Sequence, residues 1–360
     1  MRASHTWLTA LTSIPTTSGR EQRVVAWVER WAGRRPDLRC EPDRWGNLLL
    51  TSIHPPSRPL IVANAHIDHP GFVVTEVASR DLTAEFRGGV RSEYFADAPV
   101  EFFDRAGVAH PGRVEAVESM SSIRIRLARS TGLAAGDIGR WRFPGARLGV
   151  VGDRLRAHAC DDLAGAAAAL AALDVARRDP ELGHFVVLLT RAEEEGFIGA
   201  IGAARSRSVP KSSTILSIET SRAFADSPIG GGPIIRVGDR SSVFDADLTN
   251  RLTALVRERG LTHQRRLMAG GSCEATAFGA YGYRATGLCL ALDNYHNMGD
   301  LAMVEQGRGR ARVAPEEISL ADFDGLVELL LLAARRLGPA RPELRDRLEG
   351  WFSESSHLLT

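Results

Sequence analysis

At 360 residues, 44% apolar and 25% charged, the chain has the balance of a soluble globular protein, large enough for two domains or for one large domain with an insert. Its 45 basic and 44 acidic residues leave a net charge of +1, which excludes the global basic field that nucleic-acid binding relies on. Its apolar runs are broken by Arg or Gly short of a membrane span, and four scattered cysteines without a CxxC exclude a disulfide framework or a thiolate zinc site.

Residues 1–35 read as a helix, a turn and a second helix. Residues 1–18 hold no apolar run of the signal-peptide kind, so a reducing cytoplasm is the expected location. Ile14-Pro-Thr-Thr-Ser-Gly19 is the break, with Ser18 placed to cap the second helix and Glu21 as its capping-box partner. Residues 39–51 predict two short strands around the turn 43–47, and Pro55-Pro56 marks a loop. Residues 60–65 are a buried strand that runs directly into His66-Ile-Asp68-His-Pro-Gly71. A metal-bound imidazole needs an acceptor for its second nitrogen, so His-x-Asp at a strand end signals a site. Taken singly, His66 also reads as a satisfied buried histidine and Asp68 as a turn residue.

From Phe72 to about Val151 short alternating runs are separated by Gly, Asp and Pro turns, the pattern of a small all-β unit, sandwich or barrel. The alternation of Arg with Ile and Leu over 121–129 reads as an exposed strand face. Next comes Cys160-Asp161-Asp162-Leu-Ala-Gly165, then an Ala/Leu run with the strongest helix propensity in the chain. One Asp suffices to cap that helix, which frees the other for a site.

The strand His184-Phe-Val-Val-Leu-Leu-Thr190 exits on Arg191-Ala-Glu193-Glu194-Glu-Gly-Phe-Ile-Gly199. Three adjacent carboxylates at the end of a buried strand repel one another unless something neutralises them. Residues 212–218 form another buried strand, ending on Glu219. Gly230-Gly-Gly-Pro233 reads as a plain turn. A helix over 244–259 and a strand over 262–268 follow, then Ala269-Gly-Gly-Ser-Cys-Glu274 and a last buried strand, 284–292, which exits through Asp293-Asn-Tyr-His296. Residues 316–337 predict a long closing helix.

Five element ends thus carry acids or imidazoles: His66 with Asp68, Asp161, Glu193 with Glu194, Glu219, and His296. Open α/β sheets bind ligands outside the carboxyl ends of their strands, which brings these ends together. Two His and three carboxylates suit two divalent metals about 3.5–4 Å apart with one bridging carboxylate. The spare Glu beside a ligand Glu is then free to act as general base on a water.

Over nearly its whole length the chain resembles the dinuclear zinc aminopeptidases of the glutamyl/tetrahedral aminopeptidase family, which also carried the name endoglucanase M. Ser18-Gly-Arg-Glu21, Gly46-Asn47, Ala65-His-Ile-Asp68, Ala135-Gly-Asp-Ile138, Asp161-Asp-Leu-Ala-Gly165, Glu193-Glu-Glu-Gly196 and Gly270-Gly271 stand in the family's order. The resemblance implies an α/β fold, a mixed central sheet sandwiched by helices as in zinc peptidases, with a small all-β insertion. Residues 1–71 plus 152–345 would form the catalytic domain, 72–151 the β-barrel-like insert, and 346–360 a peripheral tail. It further implies that His66, Asp161 and Glu219 hold one metal and Asp161, Glu194 and His296 the other. Glu193 would be the general base and Asp68 would orient the site behind His66. Three departures bear on substrate choice: Glu219 where the family usually has Asp, Glu274 after the glycines, and the Asn-Tyr-His-Asn-Met context of His296.

The expected function is amide hydrolysis with two divalent ions, zinc first, cobalt or manganese also fitting the donors. The first substrate class is a short peptide with a free N-terminus. An N-acyl amino acid, or cleavage from the C-terminus, is the alternative within enzymes, and a non-catalytic binding protein the alternative outside them. No nucleic-acid or membrane partner is expected, and the resemblance implies a homo-oligomer.

Overall fold

The computed structural model describes residues 3–338 and 343–359. Along the chain, α1 (Ala3–Leu11) and α2 (Gln22–Gly33) precede β1 (Leu38–Pro42), β2 (Leu48–Ser52) and β3 (Ile61–His66). Six strands follow: β4 (Gly71–Ala78), β5 (Asp81–Arg87), β6 (Pro99–Phe103), β7 (Ala109–Ser119), β8 (Ser122–Leu127) and β9 (Ile138–Trp141). The chain returns through β10 (Gly149–Val151) and β11 (Arg154–Ala157) to α3 (Leu163–Ala176), β12 (Phe185–Thr190), α4 (Ile198–Ser206) and β13 (Thr214–Arg222). Then come β14 (Ile234–Asp239), α5 (Ala246–Arg259), β15 (Gln264–Met268), α6 (Glu274–Ala280) and β16 (Arg284–Leu292). It closes with β17 (Met298–Gly299), α7 (Leu301–Glu305), β18 (Arg312–Val313), β19 (Glu316–Ser319), α8 (Leu320–Arg336) and α9 (Glu343–Ser355).

The alanine-rich α3 is apolar on every side, and a helix of that kind has to be buried all round. All of its residues except Val175 are buried, and it packs between the central sheet and the helices α1 and α8. The sheet has eight strands in the order β1-β2-β12-β3-β13-β16-β14-β15. Its centre is parallel, β12 with β3, β3 with β13 and β13 with β16. Both faces of that centre are covered, which is why β3 and β12 read as continuous apolar runs rather than alternating ones. One apolar cluster lies under α1, α2, α3, α5 and α8, the other under α4 and α6.

Strands β4 to β9 form a closed barrel, leaving the body at Gly71 just after the His66–Pro70 stretch. Closure removes the open edges that short antiparallel strands otherwise expose. Its interior is aromatic, with Phe72, Phe86, Phe95 and Trp141 in edge-to-face contact at centroid distances of 4.9–5.0 Å for the closest pairs. The barrel strands end at Trp141. Strand β10 pairs with β11, which pairs with β19, so residues 149–151 belong to the body.

Three local expectations change. The long helix expected over 316–337 begins only at Leu320, because Glu316–Ser319 pairs with β11 as a strand. Strand β13 does not end on Glu219 but runs to Arg222, since its pairing with β16 continues to Arg222 opposite Leu292. Ser18 and Glu21 form no capping box on α2: Glu21 occupies the cap position without a side-chain cap bond, and both residues point into the site described next. The tail residues 346–359 continue α9 and a 3-10 turn with Trp351 and Phe352 exposed.

Candidate active site

Every residue expected at the site converges on one cleft at the carboxyl ends of the parallel strands. His66 is the last residue of β3, and Glu193 and Glu194 lie in the turn that follows β12. Glu219 lies within β13, Asp161 just before α3, and His296 in a single turn after β16. All of these are buried except Glu194, which is half-buried.

Asp161 stands between the two imidazoles. Its Oδ1 is 3.4 Å from His66 Nε2, and its Oδ2 is 3.4 Å from His296 Nε2. Glu219 Oε1 lies 3.5 Å from His66 Nε2, and Glu194 Oε1 lies 3.2 Å from His296 Nε2. Glu193 Oε2 stands further back, 3.9 Å from His66 Nε2. The donor atoms of His66, Glu193 and Glu219 lie within 4.8 Å of one another, and so do those of Asp161, Glu194 and His296.

These spacings are longer than a good hydrogen bond, and both ring nitrogens of His66, Asp161 Oδ1 and Glu194 Oε1 are buried without a hydrogen-bond partner. Two ligands of a tetrahedral zinc, each about 2.0–2.1 Å from the ion, stand about 3.3–3.4 Å apart. The donors therefore match a metal-ligand shell, and one carboxylate touching both shells matches a bridge. Electrostatics point the same way. Burial pushes the Glu219 carboxyl up to about 8, with Asp161 beside it adding to the rise. Burial raises the Glu193 carboxyl well above its usual range, against the pull of His66. Burial also opposes the Asp161 charge, but the His296 and His66 imidazoles beside it hold that carboxyl well below the usual range. This many acids in one dry place need positive charge, and two imidazoles do not supply enough.

The frame behind the site is built from backbone and buried acids. Asp68 Oδ1 lies 3.4 Å from His66 Nδ1 and accepts the Glu193 N–H at 3.0 Å. Asp68 Oδ2 accepts the Glu194 N–H at 3.1 Å and the Ser18 hydroxyl at 2.6 Å. One carboxylate thus orients an imidazole and clamps the acidic turn. Asp68→Asn is expected to weaken metal affinity or activity about 10–100-fold, the usual effect of removing such an outer partner. Metal titration of the variant by calorimetry checks this. Glu21 holds the same turn from the other side, accepting from the Ala192 N–H and pairing with Arg191.

Glu316 is the member that the sequence did not reveal. It accepts from the N–H groups of Cys160, Asp161 and His296, at 2.6, 3.0 and 2.9 Å, and so joins the two segments that carry the second ligand group. His69 Nδ1 donates to the Asp161 carbonyl at 2.6 Å. His296 Nδ1 donates to the Gly89 carbonyl at 2.7 Å, which leaves Nε2 to face Asp161 and Glu194, and the Tyr295 ring stacks on it. Asp162, expected to cap α3, occupies the cap position without a cap bond and instead accepts from the Thr220 hydroxyl at 2.8 Å. Glu274 lies behind the site on α6, accepting from the Thr190 hydroxyl at 2.7 Å, so that departure bears on the frame.

The cleft in front measures about 740 Å³ and is lined by Glu193, Glu194, Glu219 and His296 together with Arg236, Arg240 and the Gly270-Gly271 loop. That is room for a short peptide.

The sequence model of the M42 glutamyl aminopeptidase family matches residues 126–306, half of the chain. The chain belongs to the M42 glutamyl aminopeptidase family. As a member of M42 it is a hydrolytic enzyme, a metal-dependent aminopeptidase. No curated protein matches the sequence. Among solved structures, the Pyrococcus horikoshii TET1 peptidase superposes with a TM-score of 0.75 at 20% identity, over 92% of this chain and 99% of that one. An aminopeptidase from the archaeon Desulfurococcus kamchatkensis gives 0.75 at 20%, over 94% and 96%. An M18-family aminopeptidase from Thermotoga maritima gives 0.63 at 14%, over 91% and 94%. At these identities the likeness establishes the M42 fold, the mixed sheet between helices with its additional small sheets. No helix among the described residues of this M42 protein is long and apolar enough to cross a membrane.

Proposed function

We propose that the cleft holds two divalent cations, zinc first with cobalt or manganese fitting the same donors, and removes N-terminal residues from short peptides. The observation that carries this reading is Asp161, with one carboxylate oxygen toward each imidazole. In this reading His66, Asp161 and Glu219 hold one cation, and Asp161, Glu194 and His296 hold the other. When bound, the pair polarises the scissile carbonyl and makes a water acidic enough to ionise near neutral pH. Glu193 takes the proton of the attacking water and returns it to the leaving amine. Its distance of 3.9 Å from His66 Nε2, beyond those of Asp161 and Glu219, supports the role of base over that of ligand. Asp68 positions His66 and the Glu193-Glu194 backbone. The non-catalytic alternative falls with membership of the peptidase family.

The barrel is read as an inserted unit and the chain as a homo-oligomer. Support for the second comes from the relatives, one described as a dodecamer and another as assembling into a tetrahedron or a large octahedral shell. Four free cysteines support a reducing compartment such as the cytoplasm.

Glu219, where Asp was expected, favours a second reading as a deacylase or carboxypeptidase. End mapping separates the two. Protein with added zinc or cobalt is given paired short peptides, free and N-acetylated, and mass spectrometry reads the bond cut. Loss of the first residue from the free set alone is expected. Deacylation, or trimming from the C-terminus, would overturn the aminopeptidase reading.

A further inference from the structure

The stretch Gly307-Arg-Gly-Arg-Ala-Arg312 alternates arginine with small residues, and the reaction as described leaves it without a task. Its last residue, Arg312, is fixed in β18, where it pairs opposite Gly299 of β17. The Gly299 carbonyl accepts at 2.8 Å from the hydroxyl of Tyr94, a buried residue between barrel strands β5 and β6. This arm of the body therefore lies against the barrel, and a cavity of about 400 Å³ remains in the seam between them. None of the residues that line it lines the catalytic cleft.

Four arginines line the cavity, Arg310 and Arg312 from the arm and Arg113 and Arg142 from the barrel side. Arg113 is engaged. Its Nη1 donates to the carbonyl and the carboxylate of Asp97, at 2.8 and 3.0 Å, and Asp97 is the only acid among the described residues of the lining. Arg142 follows β9, its backbone N–H held by the Pro99 carbonyl at 2.9 Å. The guanidinium groups of Arg142, Arg310 and Arg312 have no hydrogen bond or ion pair among the described residues. One exposed arginine needs no partner but water. Three around one concavity differ, because none can shed its proton and the low-dielectric walls concentrate their field. An anion inside relieves all three at once.

The number of forks selects the anion. A planar carboxylate is matched by one guanidinium, whereas linked phosphates present oxygens in many directions and suit several. The remaining lining is mostly apolar, with Phe143, Pro144, Val313 and Pro315, and its volume is that of a small-molecule site. We propose that the seam cavity is a binding site for an oligophosphate, gripped by Arg142, Arg310 and Arg312. Two sources share this chemistry, free pyrophosphate and the phosphate tail of a nucleoside diphosphate whose base would lie on the apolar lining. The proposal does not depend on the hydrolytic reading, because binding is measured directly.

The test is calorimetry of pyrophosphate, ADP and adenosine with the full chain at constant ionic strength. It is run on the metal-loaded protein and again after the metals are removed, which separates the seam from any phosphate held at the catalytic metals. Saturable binding of pyrophosphate or ADP is expected in both states. Arg142→Gln, Arg310→Gln and Arg312→Gln should each weaken it about tenfold or more, the scale of losing a charged hydrogen-bond donor. Arg147→Gln, also exposed but outside the cavity, should leave it unchanged. All four positions are exposed, so the melting temperatures should stay together and any lost binding reports the site. ADP tighter than pyrophosphate, with adenosine weak, identifies the nucleotide; equal affinities identify the free oligophosphate. No binding of either phosphate, binding that vanishes with the metals, or binding that the three cavity variants leave intact would overturn the site. Light scattering covers the remaining occupant: variants that change the oligomer while no phosphate binds would give the cavity to a neighbouring copy and also overturn the proposal.

Discussion

Glu193→Gln is expected to lower turnover by about 10²–10⁴-fold while leaving bound metal unchanged. The substitution keeps shape and hydrogen bonding and removes only the capacity to take up a proton. Metal retention follows from geometry. Asp161 and Glu219 approach His66 Nε2 to 3.4 and 3.5 Å, and Glu193 stays at 3.9 Å. The backbone of the variant stays clamped, because Asp68 binds the N–H of residue 193 rather than its side chain. Turnover and metal content are measured on the same preparation. Near-normal turnover would remove Glu193 from the mechanism. Loss of one metal per chain would move it into the ligand set with His66 and Glu219, a grouping the spacing of the donors also allows.

Asp161→Ala is expected to reach further, since one side chain serves both ligand groups. Metal content should fall from two per chain to one or none, and activity by about 10⁴-fold, the scale of losing several kcal/mol of carbonyl polarisation. The fold should survive, because Glu316 and His69 hold residue 161 through its backbone N–H and carbonyl. Without metal, the variant loses the imidazole contacts that hold the Asp161 carboxyl in its charged form, so the metal-free variant should melt lower than the metal-free parent near neutral pH. A second difference appears on adding metal. A cation at about 100 times its dissociation constant stabilises the parent by about 2.7 kcal/mol, and the variant should lose most of that gain. Thermal melts with and without zinc check both halves. An undiminished zinc shift would show that Asp161 is not shared.

The strands that carry the site were legible because burial on both faces writes a continuous apolar run, and each run ends on a polar residue that is costly to bury. His66, Glu193, Glu194 and His296 stand out for that reason. Glu219 was legible as an acid, but the strand end was placed three residues early, because pairing with β16 continues beyond the apolar run. Glu316 was hidden. It precedes an amphipathic segment and is acidic, which is the pattern of a helix start, and only the pairing of β19 with β11 makes it a strand residue aimed at two backbones. Ser18 and Glu21 have the spacing of a capping box, and their partners Asp68 and Ala192 lie 50 and 171 residues away. Arg236 was silent for a simpler reason. One arginine in an apolar strand announces nothing until the glycine beside it, 51 positions on, is seen to make room.

The bond from His296 Nδ1 to the Gly89 carbonyl crosses from the body to the segment just beyond barrel strand β5. Beside it, the Gly88 N–H donates to Glu195, the neighbour of the acidic pair, and Arg87 reaches the Ser18 carbonyl. Three successive residues at the barrel's rim therefore grip three separate parts of the catalytic frame. A rotation of the barrel against the body has to drag or break these bonds, and the first imidazole to feel it is His296. The barrel's seating and the aim of that ring thus share the same three rim contacts.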